Sequence, residues 1–505
     1  MKMQKLEGSG EPAWGVILEQ GPLNWQVLQQ DTDGTAIILA KGTWRNKESM
    51  GLLGIVGGEV EWRVVREETG LPVNKNMQWQ LTVDSAPATA ATAASATAAS
   101  AAAASATAAS AASSEAAGAW YCEMGPIPAG GPYRLETRFN PKGNKLGEWS
   151  LRGDMRHFIG VGDIWIVAGQ SNASGYGRDG YQDGPEIGIH MLGQNGEWGM
   201  ATHPLHDSTD IIFGESREKY NNGHSPFLHF ARILKRELGY PIALIPTALG
   251  GSPLEAWHPE NGVLFANLKK RVELAGGRVK GMIWIQGESD TKPGLAETYL
   301  QRFTESVLGW RKGLGNLKLP ILTVQLGRTR SADPGKVDRQ WAQVREAQRI
   351  AAKQISDLTV VPALDLSLDD NIHYSTSGNF VLAERLANCA LGKVYGRPIE
   401  YLAPELESAV LEQGHVVTLK FSWVQSRLEN MDPQAIPFTV EDTGGNVPID
   451  KIVYYQKDFI KVFLKRAIEG QGKISGGYGE NPQTLPLDVE RRMPILAFHQ
   501  FEIIP

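Results

Sequence analysis

Between residues 156 and 398, four short, mainly apolar runs at 164–168, 242–247, 281–285 and 358–364 each end in a polar or glycine-containing loop. Between them lie stretches at 225–238, 295–314, 340–355 and 377–395 that repeat apolar residues every three or four positions. A short run without polar alternation fits a strand covered on both faces, and the longer spacing fits an amphipathic helix. Strand and helix in this rhythm predict a parallel sheet with helices on both faces. Folds of that kind build their sites outside the carboxyl ends of the strands, so the residues just after each run are the first to inspect.

After the first run the chain reads Gly169-Gln170-Ser171-Asn172. Gly169 permits a sharp turn, and Ser171 then stands at the sheet edge as a candidate nucleophile. A serine hydroxyl needs a base, usually a histidine held in one tautomer by a carboxylate. Of the ten histidines, His373 lies just past the 358–364 run, in Asp370-Asn371-Ile372-His373. A turn there folds a carboxylate back onto the ring, so one loop delivers base and orienter together. The loops after 242–247 and 281–285 supply hydrogen-bond donors for a developing oxyanion: a backbone N–H at Gly250 or Gly251, and the side-chain amide of Gln286.

These pieces together resemble the SGNH (GDSL-like) hydrolase superfamily and, within it, the sialate O-acetylesterase family. The matching blocks are Gly162-Asp163-Ile164-Trp165 with Gly169-Gln170-Ser171-Asn172, Gly250-Gly251-Ser252 with Glu255-Ala256-Trp257, and Trp284-Ile285-Gln286-Gly287-Glu288-Ser289-Asp290. Val324-Gln325-Leu326, Arg345-Glu346-Ala347-Gln348 and Ile372-His373 with Gly378 and Arg385-Leu386-Ala387 agree with it. The resemblance implies Ser171 as nucleophile, His373 as general base and Asp370 as its orienter, with the Ser171 N–H, a Gly250 or Gly251 N–H and Gln286 as the oxyanion hole. Family members often carry Asp directly before Ile-His; here Asn371 stands there. The orienting carboxylate therefore lies among Asp370, Asp369 and Asp365, with Asp370 favoured.

The fold expected is a three-layer α/β/α, flavodoxin-like catalytic domain at 156–398 between β-sandwich-like domains at 1–155 and 399–505. A chain of 505 residues suits about three domains at ~150 residues each. Alternating runs at 35–40, 59–65 and 133–139 before the catalytic region, and at 416–421 and 452–455 after it, support the two β-domains. Residues 85–118 are almost entirely Ala, Ser and Thr; with nothing large to bury they are expected as an insertion in a surface loop. A net charge of -6 gives no reason to expect nucleic acid or an anionic membrane as partner. The two cysteines, Cys122 and Cys389, form neither a disulfide framework nor a metal motif. The amino terminus lacks the apolar stretch of a signal peptide and no run is long enough to span a membrane, which predicts a cytoplasmic protein.

Beside the catalytic blocks, Tyr176, Arg178, Asp179, Trp257 and His258 suit a sugar that stacks one face and hydrogen-bonds its hydroxyls. Gln170, Asn172 and Glu288 are further candidate substrate contacts, and Arg328 and Arg330 could meet a substrate carboxylate. The expectation is a serine carbohydrate O-acetylesterase working through an acetyl-enzyme, without cofactor or metal. The resemblance implies 9-O-acetylated sialic acid as one substrate. Acetyl-xylooligosaccharides are an equal alternative, and an inactive carbohydrate-binding protein is the alternative of another class.

Overall fold

The computed structural model describes residues 15–46, 58–84, 116–141, 151–180, 183–219 and 222–505. They belong to two compact units, Met1–Val161 and Gly162–Pro505. In the first unit, strands Gly15–Gln20, Thr35–Asn46 and Ala116–Pro128 pair antiparallel in that order, and Gly58–Arg66 pairs antiparallel with Gly130–Pro141. The side-chain period of two turns Val60, Trp62 and Val64 inward, where they share a core with Ile38, Trp120 and Leu135. Of the Ala/Ser/Thr segment, residues 85–115 lie outside the described residues, and 116–118 open the strand Ala116–Pro128.

The second unit is built on a mixed sheet. Its strands are the 162–169 part of β1 (Leu151–Gly169), β2 (Ile189–Leu192), β3 (Trp198–Met200), β4 (Ile242–Pro246), β5 (Gly281–Ile285), β6 (Ile321–Val324) and β7 (Leu358–Val361). Their order is β3-β2-β4-β1-β5-β6-β7, parallel throughout except for β3. Residues 164–168 of β1 are each 0% exposed, as their unbroken apolar run requires. The chain passes from β4 on one side of β1 to β5 on the other, so a crevice opens beyond the carboxyl ends of these three strands.

The helices are α1 (Ser171–Ser174), α2 (Phe227–Leu238), α3 (Val263–Leu274), α4 (Tyr299–Gly313), α5 (Asp338–Gln354) and α6 (Thr376–Lys393). Four of the six were anticipated to within a few residues. α3 was not, and Arg271 explains why: it falls on the inward face, where it breaks the apolar spacing, yet it is buried because its guanidinium donates to the carbonyls of Leu192 and Gly193 at 2.5 and 2.9 Å. β2 (Ile-His-Met-Leu) has its apolar run broken by the buried His190, and β3 has only three residues.

After α6 the chain forms two four-stranded antiparallel sheets. Glu405–Glu412, Val416–Ser422, Phe459–Leu464 and Ile449–Tyr455 make one, and Gly445–Val447, Phe438–Asp442, Gly472–Gly476 and Phe498–Ile503 the other. Both contribute to one core around Leu419, Phe421, Val440, Ile460 and Phe498. Two buried polar residues fasten this segment to the α/β part of the same unit. Gln325 exchanges two 2.9 Å hydrogen bonds with the Ala497 backbone. Arg345, 1% exposed, donates to the carbonyls of Leu326, Gly327 and Gly479 at 2.9, 2.6 and 2.5 Å. Among the described residues no helix is long and apolar enough to cross a membrane.

Candidate active site

β1 ends on Gly169, whose φ of +130° falls in a region that only glycine occupies without strain, and a Cβ there would lie 2.0 Å from the Ile285 carbonyl oxygen. The turn it permits places Ser171 at the first position of α1, where a backbone N–H has no partner inside the helix. Ser171 lines a cleft of about 820 Å³ together with Tyr176, Arg217, Glu218, Gly251 and His373, among others. The nucleophile and base read from the sequence therefore meet in one crevice.

The His373 loop is a small self-closed turn. One Asp370 oxygen, Oδ1, accepts the N–H groups of Ile372 and His373 at 2.8 and 2.7 Å, and the other, Oδ2, lies 2.6 Å from His373 Nδ1. Burial works to raise the Asp370 carboxyl, but the His373 ring and these two N–H groups outweigh it and hold it below its ordinary value. An ionised Asp370 fixes the proton on Nδ1 and leaves Nε2 as the basic nitrogen. The two alternative carboxylates are engaged elsewhere: Asp369 Oδ2 accepts the Arg178 N–H at 2.5 Å, and Asp365 forms a bidentate pair with Arg385 at 2.7 Å. The loop is also held from behind, since the Arg330 N–H and Thr329 Oγ1 both donate to the Asn371 carbonyl, and the Thr329 N–H donates to the Glu480 carbonyl.

Several side chains lock these pieces together. Asn172 Nδ2 donates to Glu288 Oε1 at 2.7 Å and to the Ile372 carbonyl at 3.3 Å, while its Oδ1 accepts the Tyr374 N–H at 3.0 Å. Gln170 Oε1 accepts the Ser289 N–H at 3.2 Å. Both were candidate substrate contacts; the Asn172 amide and the Gln170 Oε1 are used inside the protein, tying the Ser171 turn to the His373 and Glu288 loops, while Gln170 also lines the cleft. Burial pushes the Glu288 carboxyl up, against a backbone hydrogen bond and the Asn172 amide that lower it. Glu288 lines the cleft, and its Oε2 has no hydrogen-bond partner among the described residues.

Two braces carried no recognisable sequence signal. His206 Nε2 accepts the Ala248 N–H at 3.0 Å, so its Nδ1 carries the proton given to the Ser174 carbonyl at 3.1 Å. Full burial pushes this imidazole down to about 3, which keeps it neutral at any working pH. Glu218, in the loop after residues 214–216, accepts from Ser174 Oγ, Gly250 N and Tyr176 OH. The Tyr176 ring in turn stacks on His373, with centroids 4.5 Å apart and an 18° interplanar angle.

Four further expectations need correction. The Gln286 amide is turned away from the crevice: its Nε2 donates to Asp290 Oδ2 at 2.7 Å and its Oε1 accepts from Tyr299 OH at 2.9 Å. The Gly250 N–H lies 2.7 Å from a Glu218 carboxylate oxygen, so it already has an acceptor inside the protein. Arg328 lines a different pocket, with Asp365, Asn430 and Met431; Arg217 and Lys219 are cations that do line the cleft. Trp257 is 0% exposed, packs edge-on against Trp284, and gives its Nε1 proton to Ser252 Oγ at 3.0 Å. It is a core residue, so Trp257→Ala is expected to cost about 3–5 kcal/mol of stability in urea unfolding, and Trp257→Phe to leave KM unchanged. A raised KM in a stably folded Trp257→Phe would return this side chain to the substrate.

Asp183, His203 and His224 place three ligand-type atoms within 4.8 Å of one another. Each imidazole Nε2 bonds Asp183 Oδ2, at 3.1 and 3.0 Å, while Arg232 engages Oδ1. Burial raises the Asp183 carboxyl, but His203, His224 and Arg232 outweigh it and hold it far below its ordinary value. The geometry is that of a carboxylate cross-linking its loop to α2, and none of the three residues was singled out from the sequence.

The profile of a family described as "Carbohydrate esterase, sialic acid-specific acetylesterase" matches residues 161–392. A probable carbohydrate esterase of Arabidopsis thaliana is 30% identical over 251 residues, covering 45% of this chain and 90% of that protein. The sialate O-acetylesterase of Homo sapiens is 23% identical over 294 residues, which are 49% of this chain and 54% of the human protein; the match thus spans about half its length. Among solved structures, that of a carbohydrate acetylesterase from Xanthomonas citri shares the fold at a TM-score of 0.63 and 20% identity, covering 95% of this chain and 99% of that one.

Proposed function

Since the chain belongs to the carbohydrate esterase family of sialic acid-specific acetylesterases, we propose that it is a serine esterase that hydrolyses acetyl esters on sugar hydroxyls. One observation carries the reading: Ser171 and His373 line the same cleft, and Asp370 stands 2.6 Å from the far nitrogen of the His373 ring. Ser171 Oγ attacks the acetyl carbonyl carbon as His373 Nε2 takes its proton. The carbonyl oxygen becomes an oxyanion that receives the Ser171 N–H and a glycine N–H of the 250–251 loop. His373 returns the proton to the sugar oxygen, which leaves, and the acetyl group stays on Ser171. A water deprotonated by the same nitrogen then releases acetate and restores Ser171. Asp370 stays ionised and steadies the imidazolium at each transfer.

The same reading includes the SGNH architecture, a three-layer α/β/α domain flanked in sequence by β-sandwich-like domains. It is supported by the parallel strand order around β1 and by the antiparallel sheets on either side in the chain. The cleft, of about 820 Å³, carries Arg217 and Lys219 beside Glu215, Glu218 and Glu288 on its wall, a polar lining that suits a sugar.

The test is acetate release from 9-O-acetylated sialic acid and from acetyl-xylooligosaccharides, assayed side by side with and without a chelator. The wild-type chain is expected to deacetylate at least one of them at a rate the chelator leaves unchanged. No acetate from any member of the panel would leave a binding protein as the better reading, and activity lost to the chelator and restored by a divalent ion would replace the serine mechanism.

A further inference from the structure

We propose that Glu218 is the positioning residue that joins the parts of the acyl-transfer site, and that the Gly251 N–H, rather than that of Gly250, receives the oxyanion. The inference rests on Ser171 and His373 acting as proposed above. Glu218 stands on the cleft wall in a charged loop, Glu215-Ser216-Arg217-Glu218-Lys219. Its Oε1 accepts from Ser174 Oγ at 2.5 Å and from the Gly250 N–H at 2.7 Å, and its Oε2 accepts from Tyr176 OH at 3.3 Å.

Each donor belongs to a different working part. Ser174 ends the turn that Ser171 begins, Gly250 belongs to the loop after β4, and Tyr176 carries the ring on which His373 lies. An ionised carboxylate is acceptor-only, with sites for about four donors, so it can hold all three at once. No neutral side chain of this size can do the same.

The bond to Gly250 also decides which glycine serves the substrate. An N–H held by a carboxylate oxygen at 2.7 Å is a short, well-made bond, which an ester oxygen would have to break before using that proton. A Cβ on Gly250 would lie 2.9 Å from Glu218 Oε2 and 3.0 Å from Tyr176 OH, whereas one on Gly251 would meet nothing within 4 Å. Gly251, at φ +69°, thus borders the unfilled part of the cleft, where an acetyl group can approach. The Glu218 loop is fastened on both sides. The Glu218 N–H donates to Ser208 Oγ at 3.1 Å, Arg217 donates to the Ser208 carbonyl at 2.8 Å, and Asn267 donates to Ser216 Oγ at 3.1 Å. A carboxylate anchored in this way is a fixed brace, not an arm that swings aside for substrate.

The experiment compares the full-length wild-type chain with Glu218→Gln, Glu218→Asp and Ser171→Ala, recording kcat and KM for 4-nitrophenyl acetate and thermal unfolding for each. Glu218→Gln turns an amide NH2 toward groups that need an acceptor, so kcat is expected to fall about 10- to 100-fold while KM stays within about threefold. Glu218→Asp keeps the acceptor-only carboxylate on a shorter arm and is expected to recover part of that loss. A Glu218→Gln chain with wild-type or higher kcat/KM would make Glu218 a bystander or an obstacle and overturn the inference. Equal losses in both variants, matched by a lowered unfolding temperature, would overturn it too, as a purely structural role. Ser171→Ala separates the two levels: if it is inactive while Glu218→Gln is normal, only the Glu218 assignment fails, and if it keeps full activity the acyl-transfer reading fails with it.

Discussion

Ser171→Ala is expected to lower kcat for acetyl-ester hydrolysis by roughly 10⁴- to 10⁶-fold, the scale seen when an acyl-transfer enzyme loses its nucleophile. The methyl group fits the space of the missing CH₂OH, the helical turn keeps its backbone, and the Ser171 N–H still points where an oxyanion would form. What disappears is the hydroxyl that the proposed mechanism converts to an acetyl ester. Some rate above that in water should remain, because the bound ester still meets the oxyanion donors and His373 can still deprotonate a water. Hydrolysis of 4-nitrophenyl acetate by the two purified chains checks this, and rates within a factor of a few of each other would remove Ser171 from the mechanism.

Asp370→Asn is expected to reduce kcat by about 10²- to 10⁴-fold, whereas Asp369→Asn should cost less than about tenfold. The difference follows from the two halves of the Asp370 carboxylate. Oδ1 is occupied by the Ile372 and His373 N–H groups. An asparagine placed here keeps its oxygen on those donors and so turns its NH2 toward His373 Nδ1. Facing a donor, Nδ1 must be the unprotonated nitrogen, the proton moves to Nε2, and the base can no longer accept from Ser171. Because the Asp370 side chain is 54% exposed, water competes for Nδ1 and rescues part of the correct tautomer, which sets the lower end of the range. The Asp369 carboxylate accepts the Arg178 N–H, and Asp369 reaches His373 only through its backbone N–H, which donates to the His373 carbonyl at 3.0 Å and survives the substitution, so the larger loss falling on Asp369→Asn would exchange the two assignments.

Much of the candidate site was legible because its residues are local in sequence. Ser171 follows its strand directly, and Asp370 and His373 share one turn, so spacing alone brings them to the sheet edge. The buried strands were legible for a similar reason: an apolar run of the right length has few other uses. Side-chain direction was not legible. Gln286 and Trp257 sit inside recognisable blocks, yet each hydrogen-bonds inward, to Asp290 and to Ser252. The order of residues does not show which partner a buried polar group will find. Glu218 and His206 escaped notice because each meets its partners only after the sheet has folded. His206, for example, reaches across to Ala248 and Ser174 from a segment that carries no regular pattern.

The hold on Asn371 has a consequence for the order in which the protein becomes an enzyme. The loop that grips the Asn371 carbonyl is itself gripped through Thr329 by Glu480 and through Arg345 by Gly479. During synthesis, Ser171, the glycine loop and His373 all leave the ribosome well before residues 479 and 480 exist. Until those carbonyls arrive, the turn carrying His373 lacks its backing and Arg345 lacks part of its cage. On the serine-esterase reading, a nascent chain that stops short of residue 479 would carry Ser171, Asp370 and His373 and still be a poor catalyst, because its base would not yet be held.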